Sequence, residues 1–304
     1  MADATSPMPA AEARLVRTAG MTSVAVAAAL IALKLWGVVT TGSVALLGSL
    51  ADSLLDLLAS LITVFAVRVA LTPADREHRF GHGKSEGVAG IAQAVIVSLS
   101  ALLVAIRAVQ RLLAPEAVSE PGAGYAVMVA ALALTLGLTA FQRYVVRRTQ
   151  SLAIRADAVH YQADVLTNVA VLAAIYLNAQ LGWYAADPLL ALVIVGVILA
   201  SVVGIAKRSL DVLLDRELPA EVRREIRAIA SRHPGVLGVH DIRTRSAGIE
   251  EFVQLHLEIE ANLPLVEAHR IADEVEQDLR RAFPRAQVLI HTDPYGEPDE
   301  RDRF

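Results

Sequence analysis

Two pairs of ionisable residues stand inside long apolar stretches of this 304-residue chain. In LADSLLDLLAS, Asp52 and Asp56 are four apart, and in AVHYQADVLTN, His160 and Asp164 repeat that spacing. On a helix, residues four apart share a face about one turn from each other. An ionisable group at mid-membrane costs about 2.5 to 3.5 kcal/mol, so three aspartates alone impose roughly 8 to 10 kcal/mol. A single such residue can serve as an interhelical hydrogen-bonding group or line a water cavity. Two pairs at one spacing point instead to ligands converging on a cation. An Asp, Asp, His, Asp set suits a four-coordinate divalent ion; zinc takes it in tetrahedral geometry, and iron(II), cobalt or manganese accept the same donors. Copper(I) is disfavoured, because the chain has no cysteine and only four methionines. Without metal, three clustered carboxylates cannot all stay ionised, and an unperturbed histidine titrates near neutrality, so protons fill the site. Metal entry then expels protons and proton entry expels metal, which is the physics of proton/metal antiport.

Two further groups of candidate ligands lie outside the apolar stretches. In LTPADREHRFGHGKSEG, Asp75, His78 and His82 are spaced for one turn of chain or helix. The alternative is a solvated basic loop. Five of the eight histidines, His233, His240, His256, His269 and His291, fall in the final third, with Asp293 two residues after the last. Singly, each reads as a surface or dimer-interface histidine.

The elements that must position these residues follow from hydropathy. The composition is 55% hydrophobic, well above that of a soluble domain, and the apolar excess ends near residue 207. Six stretches are long enough to cross about 30 Å of hydrocarbon: 15–39, 43–71, 85–112, 121–145, 151–182 and 187–207. Lys34, near the end of the first, has a side chain long enough to snorkel to the interface and is not read as a ligand. The short connections at 40–43, 113–120 and 183–187 hold no Lys or Arg, whereas the opposite side carries Arg14, Arg17, Arg76, Arg79, Lys84, Arg143, Arg147, Arg148, Lys207 and Arg208. By the positive-inside rule both termini are cytoplasmic, although Arg107 and Arg111 run against the bias. Residues 1–13 lack a basic n-region and read as a disordered lead-in rather than a signal peptide. The transmembrane domain spans 14–207, a linker 208–218, a soluble domain 219–295 and a tail 296–304.

In the soluble domain a helical pattern at 221–233 is followed by a strand at 236–245. EFVQLHLEIE alternates, with Val253, Leu255, Leu257 and Ile259 on one face and His256 on the other. A helix at 265–283 carries Ala268, Ile271, Ala272, Val275 and Leu279 as a stripe, and 287–291 supplies another strand. The order αββαβ predicts a small sheet with helices on one face. A net charge of −4 without a basic run gives no reason to invoke nucleic acid.

TGSVALLGSLADSLLD, PADREHRFGHGK, RRTQSLAIRADAVHYQADV, LLDRELP, HDIRTRS, VQLHLEIE, PLVEAHRIADEVEQ and VLIHTDP together resemble the cation diffusion facilitator family over about residues 14–295. The likeness is greatest to its bacterial ferrous-iron and zinc efflux branch. It implies six transmembrane helices and a cytoplasmic ferredoxin-like domain in a homodimer, exporting zinc, iron(II) or cadmium across the inner membrane in exchange for protons. Carried onto this sequence, the transport site falls on Asp52, Asp56, His160 and Asp164, and a second zinc site on Asp75, His78 and His82. A binuclear zinc site between cytoplasmic domains falls on His240, His256, His269, His291 and Asp293. Lys84 and Asp215 match charged residues that link the third helix to the cytoplasmic domain. Thr292 departs from the pattern, which has Gln there. By the same resemblance His160 argues against manganese as the main substrate.

An enzyme is the poorer reading. An intramembrane aspartyl protease needs a dyad rather than three Asp with a His, and no GxGD occurs; an intramembrane zinc protease lacks HExxH. A metal-sensing receptor is the third class, separated from a transporter by the absence of vectorial flux.

Overall fold

Six helices, each longer than the roughly 20 residues needed to cross the hydrocarbon of a bilayer, fill the first two-thirds of the chain. They are α1 (Ala10–Thr41), α2 (Val44–Ala70), α3 (Ser85–Leu113), α4 (Gly124–Thr149), α5 (Leu152–Leu181) and α6 (Ala186–Leu213). The computed structural model describes residues 8–41, 44–113, 124–183 and 185–296. The beginning of the lead-in, the end of the tail and most of the 113–120 connection lie outside them. Five of the helices are apolar enough to span a membrane by composition as well as length. The other, α5, is 30 residues long but carries Arg155, Asp157, His160 and Asp164. These polar groups are not turned outward: Asp157 is fully buried and His160 only 4% exposed. Many exposed side chains are apolar, among them Phe65, Val95, Leu99, Val193 and Val203, as expected of surfaces that meet lipid.

Small residues let the helices approach closely, the usual device where lipid gives no hydrophobic drive for association. A Cβ on Gly90 of α3 would sit 2.1 Å from Ser209 Oγ of α6, so the two helices meet there only because Gly90 has none. Further along, Ala94, Val97 and Ala101 of α3 pack on Val195, Ile198 and Val202 of α6.

A second compact unit gathers the segment Pro73–Lys84 with the chain from Asp211 onward. It contains α7 (Ala220–Ala230), β1 (Gly238–Ala247), β2 (Glu250–Ile259), α8 (Leu265–Ala282) and β3 (Ala286–Pro294), the αββαβ order read from the sequence. The sheet order is β1-β2-β3, antiparallel between β1 and β2 and parallel between β2 and β3. A tight hairpin joins β1 to β2, with Gly248 at φ 74, a conformation a side chain would oppose. Val253, Leu255, Leu257 and Ile259 pack against Ile271, Val275 and Leu279 of α8 and Ile226 of α7, so the two periodicities meet in one core. Helix α7 stops at Ala230, short of His233, because Pro234 disfavours helical geometry in the residue before it.

Candidate metal centres

The intramembrane pairs converge in part. Asp56 and His160 come together between α2 and α5 with Asp56 Oδ1 2.9 Å from His160 Nε2. Asp164 Oδ2 lies 3.8 Å from the same nitrogen, one turn along α5. One donor atom from each of the three falls within 4.8 Å of the others, a spread that one cation can bridge. Asp52, one turn along α2, is exposed and stands outside this group. Nδ1 of His160 is buried without a hydrogen-bond partner. The Lys34 Nζ donates to Ser49 O at 3.0 Å and Ser53 Oγ at 2.6 Å on α2, beside the aspartate-bearing turns.

Behind this cluster lies a polar network that hydropathy alone does not single out. Asp157, one turn before His160, accepts from Gln142 Nε2 of α4 at 2.7 Å. Tyr161 Oη meets Ser60 Oγ of α2 at 2.9 Å and donates to Ser23 O of α1 at 3.3 Å. At the entrance to α5, the fully buried Glu86 of α3 accepts from Ser151 Oγ and from the backbone N–H of Leu152, capping that helix from a neighbouring one. Gln and Glu inside an apolar run, and Asp157 at i−3 from His160 on one helix face, are the sequence signal for such residues, but only packing shows which of them are buried and what they bond.

In the C-terminal domain the sheet register builds the second cluster. His240 pairs with His256 across β1 and β2, and His256 with His291 across β2 and β3, so three imidazoles form a row on the face opposite the apolar core. Their ring centroids are 5.2 and 4.8 Å apart. Asp293 serves all three: Oδ2 is 2.7 Å from His256 Nδ1 and 3.4 Å from His240 Nε2, and Oδ1 is 3.2 Å from His291 Nε2. Both ring nitrogens of His240 are buried without hydrogen-bond partners. Orphaned nitrogens in a nitrogen-and-carboxylate set fit a borderline divalent ion such as zinc.

Sequence reading missed two carboxylates at the edge of this cluster. Asp241 takes φ 42 where the β1–β2 register shifts between His240 and Arg243, and its Oδ2 lies 3.7 Å from His256 Nε2. Glu258 Oε1 is 3.4 Å from His240 Nδ1; its place two residues after His256, on the polar face of an alternating strand, was the available signal. His269 is apart from the row, exposed on α8 and 3.5 Å from Asp273. His233 also stands apart, bonded to Glu274 at 2.8 Å.

The third cluster is in the Pro73–Lys84 segment, which folds as turns rather than helix. Asp75 Oδ1 accepts the backbone N–H of His78 at 2.6 Å and of Glu77 at 2.9 Å. The His78 N–H in particular holds the Asp75 carboxyl below its ordinary value. Its other oxygen is 3.3 Å from His82 Nε2, and the two imidazole centroids are 4.5 Å apart. The segment is fixed on the domain by Lys84, whose Nζ donates to Asp215 Oδ2 at 3.0 Å. Burial acts to raise the Asp215 pKa, but the hydrogen bonds from Lys84 and Arg245 outweigh it and hold the carboxyl below its ordinary value. The Arg245 guanidinium lies 4.3 Å from the Phe252 ring centre and 5.0 Å from that of Phe80.

Comparison with known proteins matches residues 21–214 to a family described as the cation efflux transmembrane domain, and residues 218–295 to one described as the cation efflux protein, cytoplasmic domain. The chain is 48% identical over 281 residues to the cation-efflux pump FieF of Klebsiella pneumoniae subsp. pneumoniae, covering 92% of this chain and 93% of that one. It is 49% identical over 290 residues to FieF of Yersinia enterocolitica, covering 95% and 96%. Among solved structures, the zinc form of CzrB aligns at 41% identity over 28% of this chain and 98% of its own, with a TM-score of 0.27.

Proposed function

The chain belongs to the cation diffusion facilitator family of multi-pass membrane cation-efflux transporters, and we propose that it exports zinc, iron(II) and cadmium in exchange for protons. The observation that carries this reading is the meeting of Asp56, His160 and Asp164 between α2 and α5. Two carboxylates and one imidazole suit a borderline divalent ion. Asp52 joins as the fourth ligand when the ion is bound, which requires a small movement of α2 relative to α5. Carboxylates this close take up protons when no metal neutralises them, so each ion that enters releases protons and each ion that leaves is replaced by them. Alternating access of this one site to the two sides then couples the two flows.

The Lys/Arg distribution orients the chain in a bacterial inner membrane with both termini cytoplasmic. On this reading residues 14–207 carry the cation, 208–218 connect, and 219–295 form the cytoplasmic domain through which two copies pair. His240, His256, His291 and Asp293 would hold resident zinc there, with His269 completing the binuclear set across the dimer interface. Asp75, His78 and His82 would hold another. Lys84 and Asp215 keep the loop that bears that site on the domain. The resident ions supply cross-links between strands, and between copies, that no side-chain pair offers.

Flux measured in proteoliposomes for zinc, cadmium, iron(II) and manganese, with and without an imposed pH gradient, tests the reading. Zinc, cadmium and iron(II) should move faster than manganese, inward protons should drive them, and Asp52→Ala and His160→Ala should fall to background. Normal transport by both variants would remove the site assignment, and flux indifferent to the pH gradient would remove the antiport.

A further inference from the structure

Asp157 belongs to none of the three metal clusters, yet it is fully buried in a span where an unneutralised carboxylate is costly. Its two oxygens tie three helices together. Gln142 Nε2 of α4 donates to Oδ2 at 2.7 Å, and Gln93 Nε2 of α3 reaches Oδ1 at 3.5 Å. The same Gln93 nitrogen donates to Ala59 O at 2.8 Å and Thr63 Oγ1 at 2.9 Å on α2, the helix that carries Asp56. Gln142 Nε2 also donates to Ser23 Oγ of α1 at 3.0 Å. Five helices therefore meet around one carboxylate, a single turn from His160.

The placement is one-sided. From Leu152 to Tyr161 every residue of α5 is buried, apart from half-buried Arg155 and Val159, whereas 162–169 is half-buried or exposed throughout. Within the cluster the Asp164 side chain is 35% exposed and His160 only 5%. On the side of the metal ligands toward the N-terminal end of α5, the cytoplasmic end in the orientation proposed above, Asp157, Gln93, Gln142 and Tyr161 are all buried. Moreover, Gln93 Oε1 and Gln142 Oε1 are both buried and unpartnered. A knot built only for stability would satisfy them; two idle acceptors leave each amide a second arrangement to turn into.

We infer that Asp157 is a positioning residue for cation passage, a hydrogen-bonding latch that holds α5 against α3 and α4 and must release when the ligands turn to the cytoplasmic side. It acts as an acceptor of defined shape rather than as a charge. Asparagine can therefore replace it: the Asn carbonyl keeps one glutamine donor, and a turned Gln142 amide offers its idle Oε1 to the Asn Nδ2. Alanine cannot. The inference rests on the reading of His160 as a metal ligand, and the test separates the two.

The chain has no cysteine, so Ala59→Cys, at a fully buried α2 position beside the latch, gives a single labelling site in the full-length protein. Maleimide labelling from the cytoplasmic face, zinc binding and zinc flux are measured in this background. Asp157→Ala should label about tenfold faster and lose about tenfold in kcat, with zinc affinity within about threefold; Asp157→Asn should stay within about threefold of the parent in all three. Gln93→Ala should reproduce the faster labelling if Asp157→Ala does not fold. Asp157→Asn as impaired as Asp157→Ala would show that the charge matters and overturn the latch, as would labelling unchanged in both Asp157→Ala and Gln93→Ala. If His160→Ala binds and moves zinc normally, the ligand reading fails while the labelling result still judges the latch.

Discussion

Replacing Arg245 by glutamine should loosen the Pro73–Lys84 segment from the C-terminal domain by a predictable amount. The guanidinium lies against two rings, Phe252 at 4.3 Å and Phe80 at 5.0 Å, and only Phe80 belongs to the segment. Each cation–π contact at a partly exposed site is worth about 0.5 to 1 kcal/mol. The bond to Asp215 Oδ1 at 3.1 Å leaves Asp215 43% exposed, so solvent screening limits it to under about 1 kcal/mol. Glutamine keeps some stem packing, and the edge contact of Phe80 on Phe252 at 5.7 Å remains. Only the Phe80 contact joins Arg245 to the segment, so a loss of about 0.5 to 1 kcal/mol corresponds to roughly a 2- to 5-fold larger open population of the segment. Hydrogen exchange reads this directly, because local opening sets the exchange rate of protected amides. The Gly81 N–H bonded to His78 O and the His78 N–H bonded to Asp75 should exchange about 2- to 5-fold faster in Arg245→Gln. Zinc affinity of the Asp75, His78, His82 cluster should fall in step. Unchanged exchange at both amides, in a variant whose sheet amides are also unchanged, would refute the clasp.

Gly83→Ala should undock the same segment without touching any charge: the added Cβ would lie 2.0 Å from the Ala247 carbonyl oxygen, and relieving that overlap costs about 1 to 3 kcal/mol, read by the same exchange experiment. Because hydrogen bonds from Lys84 and Arg245 depress the Asp215 pKa below its ordinary 3.8, its contribution to docking is complete above that value. It is lost only as pH falls through the depressed one, so docking should be flat from about pH 5 to 8 and weaken below about pH 4, as a pH series of loop exchange would reveal. His240→Ala should lower zinc affinity of the C-terminal cluster by about tenfold or more, measured by titration of the purified protein. Chelation should likewise lower the melting temperature of the parent more than that of His240→Ala.

Much of the architecture is written locally. Helix length, the alternation of EFVQLHLEIE and the stripe on α8 are one-dimensional periodicities, so the six spans and the αββαβ domain follow from them without reference to distant contacts. The i, i+4 pairs are local in the same sense, because helix geometry alone puts Asp52 near Asp56 and His160 near Asp164. Which members meet across helices is not local. α2 and α5 bring Asp56, His160 and Asp164 within 4.8 Å and leave Asp52 exposed a turn away, an outcome set by how helices pack rather than by spacing.

The C-terminal row divides along the same line. That His256 stands on the polar face is a matter of period two. That His240, His256 and His291 lie side by side depends on register across three strands, and a shift of one residue would have turned each to the other face. The bulge that brings Asp241 toward His256 and the turns that gather Asp75, His78 and His82 have no periodic signature at all. Asp157 makes the sharpest case. In the sequence it is one more charge in α5, whereas in the fold Gln93 and Gln142, 64 and 15 residues away along the chain, make it the node of five helices. The sequence by itself decided what could cross the membrane and which side chains could hold a cation. Tertiary structure decided which of them converge, because convergence depends on contacts between residues far apart in the chain that no local pattern encodes.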